Sequence, residues 1–340
     1  MEEELKSLKP ISRWVAFLCL IATLAYISYF LKQWIHIPFW LDFILFTLIA
    51  FKTNFVMSFF GLSIGLCTLT TLLEQILFPS LSISSVAIGA CILTSMYLLY
   101  GFLKMNHVKK KEYTFESSNL DLKIIQISDL HIGSGLIKPV FKKNLEKINN
   151  EHPDVIMITG DLVDESTKPS DFLQAIELLK NLQARIGKYY ILGNHDWNTD
   201  FFKNKMKETG FILLEDEQVH FDTFSIIGRK DAFQTRKSLN EYTYIPHTYT
   251  IVCDHQPVDL FNNSQCPISL ELCGHTHNGQ IWPLGILANW FHENELVYGH
   301  KQIQSLHIVV TSGFGGWGYS IRTQGQSEYV VIHIQKKDSK

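Results

Sequence analysis

The chain has 340 residues, 46% of them hydrophobic and 19% charged, with a formal net charge of −3. That length exceeds what one small domain needs, and the near-neutral balance excludes wholesale binding to a nucleic-acid phosphate backbone as the principal role. Its 6 cysteines show no disulfide framework; Cys253 and Cys273 sit inside apolar runs as small buried thiols, and reduced thiols fit a cytosolic compartment.

Most of the apolar excess lies in the first hundred residues. Residues 12–32 and 83–103 are each apolar over the roughly 20 positions a helix needs to cross a bilayer core. Between them the apolar stretch divides at Lys52-Thr53-Asn54 into 37–52 and 55–78, so residues 1–104 read as an all-α transmembrane region of about four helices. A cleaved signal peptide would have a shorter apolar core and no further spans behind it. Lys6, Lys9 and Arg13 precede the first span, and Lys104, Lys109, Lys110 and Lys111 follow the last. The positive-inside rule then places both ends, and the catalytic half, in the cytoplasm of a multi-pass integral membrane protein. Asp42 beside Trp40 reads as interfacial. Residues 105–114 read as a basic linker, whose lysines suit anionic lipid head groups as well as water.

From about Tyr113 short β-branched or aromatic runs alternate with amphipathic segments. Strands are expected at Leu122–Ile127, Val155–Thr159, Tyr189–Leu192, Phe224–Ile227, Tyr249–Cys253, Ile268–Cys273, Leu306–Thr311 and Tyr329–Ile334. Phe141, Leu145 and Ile148 fall at helical spacing, as do Phe172, Ile176 and Leu179 behind an expected Ser170 cap. The alternation gives an α/β (α+β) domain over 115–340.

Five polar clusters follow these runs: Asp129-Leu130-His131, Gly160-Asp161, Gly193-Asn194-His195-Asp196, Asp254-His255 and Gly274-His275-Thr276-His277. In α/β sheets, groups at strand exits converge on one crevice. Their carboxylate, amide and imidazole donors are those a pair of divalent transition metals requires. Asp129 and His131 can face one ion, Asp161 can bridge two, Asn194 offers a neutral oxygen, and the alternation in His275-x-His277 lets two imidazoles reach different metals. Two such ions would clamp a phosphate and acidify a water. His152, His220, His247, His292, His300, His307 and His333 lack this context and read as surface or hydrogen-bonded residues.

With these blocks in order, Asp129-x-His131, Gly160-Asp161-x-x-Asp164, Gly193-Asn194-His195-Asp196 and Gly274-His275-x-His277, the sequence resembles the calcineurin-like metallophosphoesterase superfamily over roughly 120–335. The block His275-Thr276-His277-Asn278-Gly279-Gln280 and the late Gly315-Gly316-Trp317-Gly318 make it most similar to that superfamily's membrane-associated bacterial branch. The resemblance implies a four-layer sandwich of two mixed sheets with flanking helices. It implies one metal on Asp129, His131, Asp161 and His277, and a second on Asp161, Asn194, His255 and His275. It makes His195 the catalytic histidine, which protonates the leaving group or stabilises the transition state, with Asp196 orienting it. Asp254 stands where the family has an apolar residue, and is expected to support His255.

Arg229 with Asp231, and Arg322, are candidates for substrate-phosphate contact, since guanidinium binds phosphate bidentately. The loop Gly313–Gly318 with Phe314 and Trp317 reads as a wall of the site, a bilayer contact or a plain turn. The function expected is a membrane-anchored hydrolase that cleaves phosphomonoesters or phosphodiesters through a metal-bound hydroxide. Its cofactors would be two divalent ions (Mn, Fe or Zn) and its partners the bilayer and a phosphoester, lipid-linked esters among the candidates. The competing readings are a catalytically inactive metal-binding regulatory membrane protein, which the complete ligand set disfavours, and a small transporter, which the lack of paired ionisable groups in the spans disfavours.

Overall fold

The computed structural model describes residues 76–77, 83–133, 138–283, 285–286 and 295–337. The chain divides into two compact units, Met1–Tyr100 and Gly101–Lys340.

A spanning helix must hold about 20 apolar residues in hydrocarbon. Among the described residues no helix is long and apolar enough to cross a membrane. The expectation of a multi-pass integral membrane protein with a cytoplasmic catalytic half is therefore corrected. The last expected span, 83–103, falls on helix α1 (Ile83–Met105). The end of that helix belongs to the second unit: Met105 is fully buried, the Gly101 carbonyl accepts from the Arg322 amide at 2.9 Å, and Lys104 Nζ donates to the Thr323 carbonyl at 3.0 Å. Such contacts tie the helix end at Gly101–Met105 to Arg322 and Thr323. The expected spans 12–32 and 37–52 lie outside the described residues, as does 55–78 apart from Ile76 and Leu77.

In the second unit the basic run Lys109–Lys111, read above as linker, opens strand β1 (Lys109–Ser117). There follow β2 (Leu122–Ile127), α2 (Lys138–Asn150), β3 (Val155–Thr159), α3 (Pro169–Leu179), β4 (Gly187–Ile191), α4 (Asp200–Glu208), β5 (Ile212–Leu213), β6 (Glu217–His220), β7 (Phe224–Gly228) and β8 (Tyr249–Cys253). The chain finishes with α5 (Leu260–Asn263), β9 (Leu270–Cys273), β10 (Gly299–Ile303), β11 (Leu306–Val310) and β12 (Glu328–Lys336). Phe141, Leu145 and Ile148 are buried in α2, and Phe172, Ile176 and Leu179 in α3. Helix α3 begins two residues earlier than expected: Lys168, not Ser170, is its N-cap, with no side-chain bond, and Pro169 supplies a preset φ in the first turn.

The strands form two mixed sheets in the orders β1-β12-β2-β3-β4-β5 and β10-β11-β9-β8-β7-β6. Strands β2, β3, β4 and β5 run parallel, as do β7, β8, β9 and β11. Alternate side chains feed two faces of each sheet. Ile124, Val155, Met157 and Ile191 meet Ile226, Ile251, Leu270 and Val309 between the sheets. Ile125, Ile156 and Ile158 face Phe141, Leu145, Phe172 and Ile176 of the helices. On the far side Ile227, Val252 and Ile308 pack with Leu239 and Leu260. Strands β3, β7, β8 and β9 are buried at every position, which fixes their register and their exits.

Candidate metal centre

The site lies where the parallel strands of both sheets end. Asp129 and His131 follow β2, Asp161 follows β3, Asn194 and His195 follow β4, His255 follows β8, and His275 and His277 follow β9. Neighbouring exits are stitched together: Asp129 N donates to the Gly160 carbonyl at 3.0 Å and His131 N to the Asp161 carbonyl at 3.2 Å. From the second sheet, His275 N donates to both oxygens of the Asp129 carboxylate at 3.1 Å.

Turning these side chains inward requires unusual backbone. Asp129, His131, Asp161, His275 and His277 have φ of 53°, 41°, 53°, 70° and 50°. Each residue held in the left-handed region costs about 1 kcal/mol or more, and such strain gathers at functional sites. Glycine makes the convergence possible: a Cβ on Gly193 would collide with the Asp161 carboxylate, and one on Gly274 with Ser128 Oγ and the Asp129 carboxylate.

Two groups of donors result. Asp129, His131 and His277 bring ligand atoms within 4.8 Å of one another, and so do Asp161, His255 and His275. Asp161 Oδ2 stands between the groups, 3.1 Å from His255 Nε2 and 3.7 Å from His131 Nε2. Asn194 Oδ1 faces His255 Nε2 at 3.1 Å, while His255 Nδ1 is fixed at 2.8 Å by the Thr159 carbonyl. A carbonyl at Nδ1 sets the tautomer that leaves Nε2 as the donor atom. Burial disfavours charge on Asp161, but His255, His131 and His195 outweigh it and hold the carboxyl well below the usual range.

This arrangement fits divalent cations. His131 and His277 point Nε2 at each other across 3.1 Å, and His277 Nδ1 is buried with no hydrogen-bond partner. Two imidazole nitrogens that close, flanked by Asp129 Oδ1 at 3.4 Å from His277 Nε2, are satisfied by a cation between them.

His195 lies beside the donors, its ring centroid 5.6 Å from that of His131 and its amide donating to Asp161 Oδ1 at 2.9 Å. Its Nδ1 is 2.7 Å from Glu165 Oε1. Burial lowers the His195 pKa, but the Glu165 and Asp161 carboxylates prevail and raise it.

Several expected roles change here. Asp196 does not orient the His195 ring: its Oδ1 accepts from the amides of Leu162 and Val163 at 2.8 and 3.1 Å, and its Oδ2 from those of Asp161 and Gly193 at 2.8 Å. It clamps the β3 and β4 exits, and the contact to the imidazole belongs to Glu165, which sequence reasoning missed. The only signal was an acidic residue next to Asp164 in the second block. Asp254 does not support the His255 ring; it takes Arg229 Nη1 at 2.8 Å and Arg236 Nη1 at 2.9 Å. Arg229 is 5% exposed and Arg322 0%, so both side chains are turned away from solvent. Arg322 donates to the His277 carbonyl at 2.8 Å and the Gly315 carbonyl at 2.7 Å, bracing the loops from within. Asp231 is buried against the Gln256 amide, 2.9 Å away.

The family model for the calcineurin-like phosphoesterase domain matches residues 122–279. An uncharacterised metallophosphoesterase of Campylobacter jejuni is 29% identical over 265 residues, covering 72% of this chain and 69% of that protein. One of Helicobacter pylori is 30% identical over 252 residues, 70% of this chain and 66% of that protein. A zebrafish (Danio rerio) protein named a transmembrane protein with metallophosphoesterase domain is 27% identical over 278 residues, 73% of this chain and 62% of that protein. The chain thus spans about two thirds of the length of these relatives. From the strand-exit donors, the order of their motifs and this match, the chain belongs to the calcineurin-like superfamily of metal-dependent phosphoester hydrolases.

Proposed function

We propose that the protein hydrolyses phosphomonoesters or phosphodiesters with two divalent cations. Asp129, His131, Asp161 and His277 would hold one, and Asp161, Asn194, His255 and His275 the other. The observation that carries this reading is Asp161 Oδ2 lying within 3.7 Å of an imidazole nitrogen from each group, where one oxygen can serve both ions and offset their repulsion. The mixed oxygen and nitrogen donors suit Mn²⁺, Fe²⁺ or Zn²⁺. When bound, the cations supply the Lewis acidity that polarises the phosphoryl group and acidifies the attacking water.

The chain's own residues do the rest. Glu165 engages His195 Nδ1 and favours the protonated ring, leaving Nε2 as the nitrogen that can hand a proton to the departing oxygen. In the balanced reaction water adds to phosphorus, the bond from phosphorus to the leaving oxygen breaks, and that oxygen takes the proton. Asp196 holds the backbone of Asp161 and Gly193 so that carboxylate, amide and imidazole keep their separations. A paired His195 beside a complete donor set supports an active enzyme over an inactive metal-binding regulator.

The test is release of p-nitrophenol from bis-p-nitrophenyl phosphate by the full chain, stripped with chelator and then reloaded with Mn²⁺. The reading expects activity only after reloading, and a loss of at least about 100-fold in His195→Ala. Turnover that survives chelation, or a fully active His195→Ala protein, would refute it.

A further inference from the structure

A cavity of about 380 Å³ lies over the donor groups and has two unlike kinds of lining. Asp161, His195, His275 and His277 supply its polar lining, and Ile281, Trp317 and Tyr319 supply apolar and aromatic lining. No lysine or arginine lines it among the described residues.

Trp317 stands out in the apolar lining. It is 46% exposed, yet its backbone amide and carbonyl are both hydrogen-bonded to one buried side chain. Trp317 N donates to Gln280 Oε1 at 2.9 Å, and Gln280 Nε2 donates to the carbonyls of Trp317, Tyr319 and Ile321 at 3.0, 3.0 and 3.1 Å. Gln280 itself is 7% exposed, in a backbone conformation with φ of 46°. Arg322 adds the link from Gly315 to His277 described above. A buried amide and a buried guanidinium are costly to desolvate, and both are used here to tie an open indole to the loop that carries His277. An exposed aromatic ring on a fixed backbone is a stacking platform, because little side-chain freedom remains to be lost when a ligand covers it.

The platform's position says which part of a substrate it meets. Its ring centroid is 5.4 Å from that of His195, with the planes 34° apart. This step rests on the hydrolase reading: His195 gives its proton to the departing oxygen, so the group on the indole is the one that departs. We infer that Trp317, with Ile281 and Tyr319, forms a leaving-group subsite selecting phosphoesters whose departing group is planar and uncharged. A departing group bearing a second phosphate or a carboxylate would be desolvated against Ile281, Trp317 and Tyr319, with no lysine or arginine among the described lining residues to meet it.

The experiment compares 2-naphthyl, phenyl and 4-carboxyphenyl phosphate, whose leaving groups differ in area and charge but little in acidity, on the Mn²⁺-loaded full chain. Wild type is expected to rank kcat/KM as 2-naphthyl above phenyl above 4-carboxyphenyl. Trp317→Ala should lower kcat/KM for 2-naphthyl phosphate roughly five- to tenfold more than for 4-carboxyphenyl phosphate, and Trp317→Phe should recover most of the difference. Metal content and melting temperature of both variants report whether the site is intact. Equal losses on all three esters, or a wild type indifferent to them, would overturn the subsite and leave the hydrolase reading standing. No turnover of any ester by loaded wild type would overturn both.

Discussion

Replacing Asp196 separates the structural role it has here from the orienting role its motif suggests. Its carboxylate accepts four backbone N–H groups, from Asp161, Leu162, Val163 and Gly193, at 2.8 to 3.1 Å. Hydrogen bonds of this kind contribute about 1 kcal/mol each after exchange with water, and more where water cannot replace them. Asp196→Ala should therefore destabilise the unit by about 4 kcal/mol, which for a unit of this size lowers the melting temperature by roughly 8 to 16 °C. Asp196→Asn keeps one accepting oxygen but sets an NH₂ against the remaining two donors, so it should lose at least about half as much. Thermal unfolding followed by circular dichroism, run with chelator to remove any metal contribution, reads this directly. Isothermal titration with Mn²⁺ should also show weaker binding, because the β3 and β4 exits carry Asp161 and Asn194. An Asp196→Ala protein melting within about 2 °C of wild type would refute the clamp.

Other substitutions give distinct signatures. Glu165→Gln removes the carboxylate that raises the His195 pKa, so the alkaline limb of kcat/KM should move to lower pH and activity at neutral pH should fall about tenfold; an unmoved limb would dissociate Glu165 from the proton donor. Glu271 is driven up from 4.5 to about 8 by burial first and by Asp254 second, so the folded state binds its proton more tightly than the unfolded chain does. Stability from this residue is complete below about pH 4.5 and is lost as pH rises through about 8, by up to about 5 kcal/mol. Glu271→Gln should accordingly flatten the fall in melting temperature between pH 5 and 8, and an identical slope in the variant would contradict this. Arg322→Met should depress both melting temperature and Mn²⁺ affinity, whereas a phosphate-binding arginine would raise KM and leave melting unchanged.

Interior strands were legible from sequence because burial on both faces writes them as apolar runs. Leu122–Ile127, Val155–Thr159 and Tyr249–Cys253 are found at the expected bounds. The four unread strands, β1, β5, β6 and β10, are the four sheet edges. Edge strands face water and carry polar residues that oppose pairing with other chains: β1 begins with three exposed lysines and β10 has three consecutive exposed residues. The donors were legible for a similar reason, since each follows a strand whose apolar run marks its end. Roles that depend on side-chain direction were not. Arg229 and Arg322 carry the chemistry of phosphate binding, yet both turn inward to carboxylate and carbonyl partners. Glu165 becomes the partner of His195 through a loop path that no spacing encodes.

In the proposed reaction one carboxylate, Asp161, serves two cations at once. Electron paramagnetic resonance of the Mn²⁺-loaded full chain, paired with elemental analysis, tests it most directly. Two manganese per chain with an exchange-coupled spectrum are expected, reduced in Asp161→Asn to weaker binding without coupling. A single isolated Mn²⁺ signal at saturation, or coupling that persists without the Asp161 carboxylate, would contradict it.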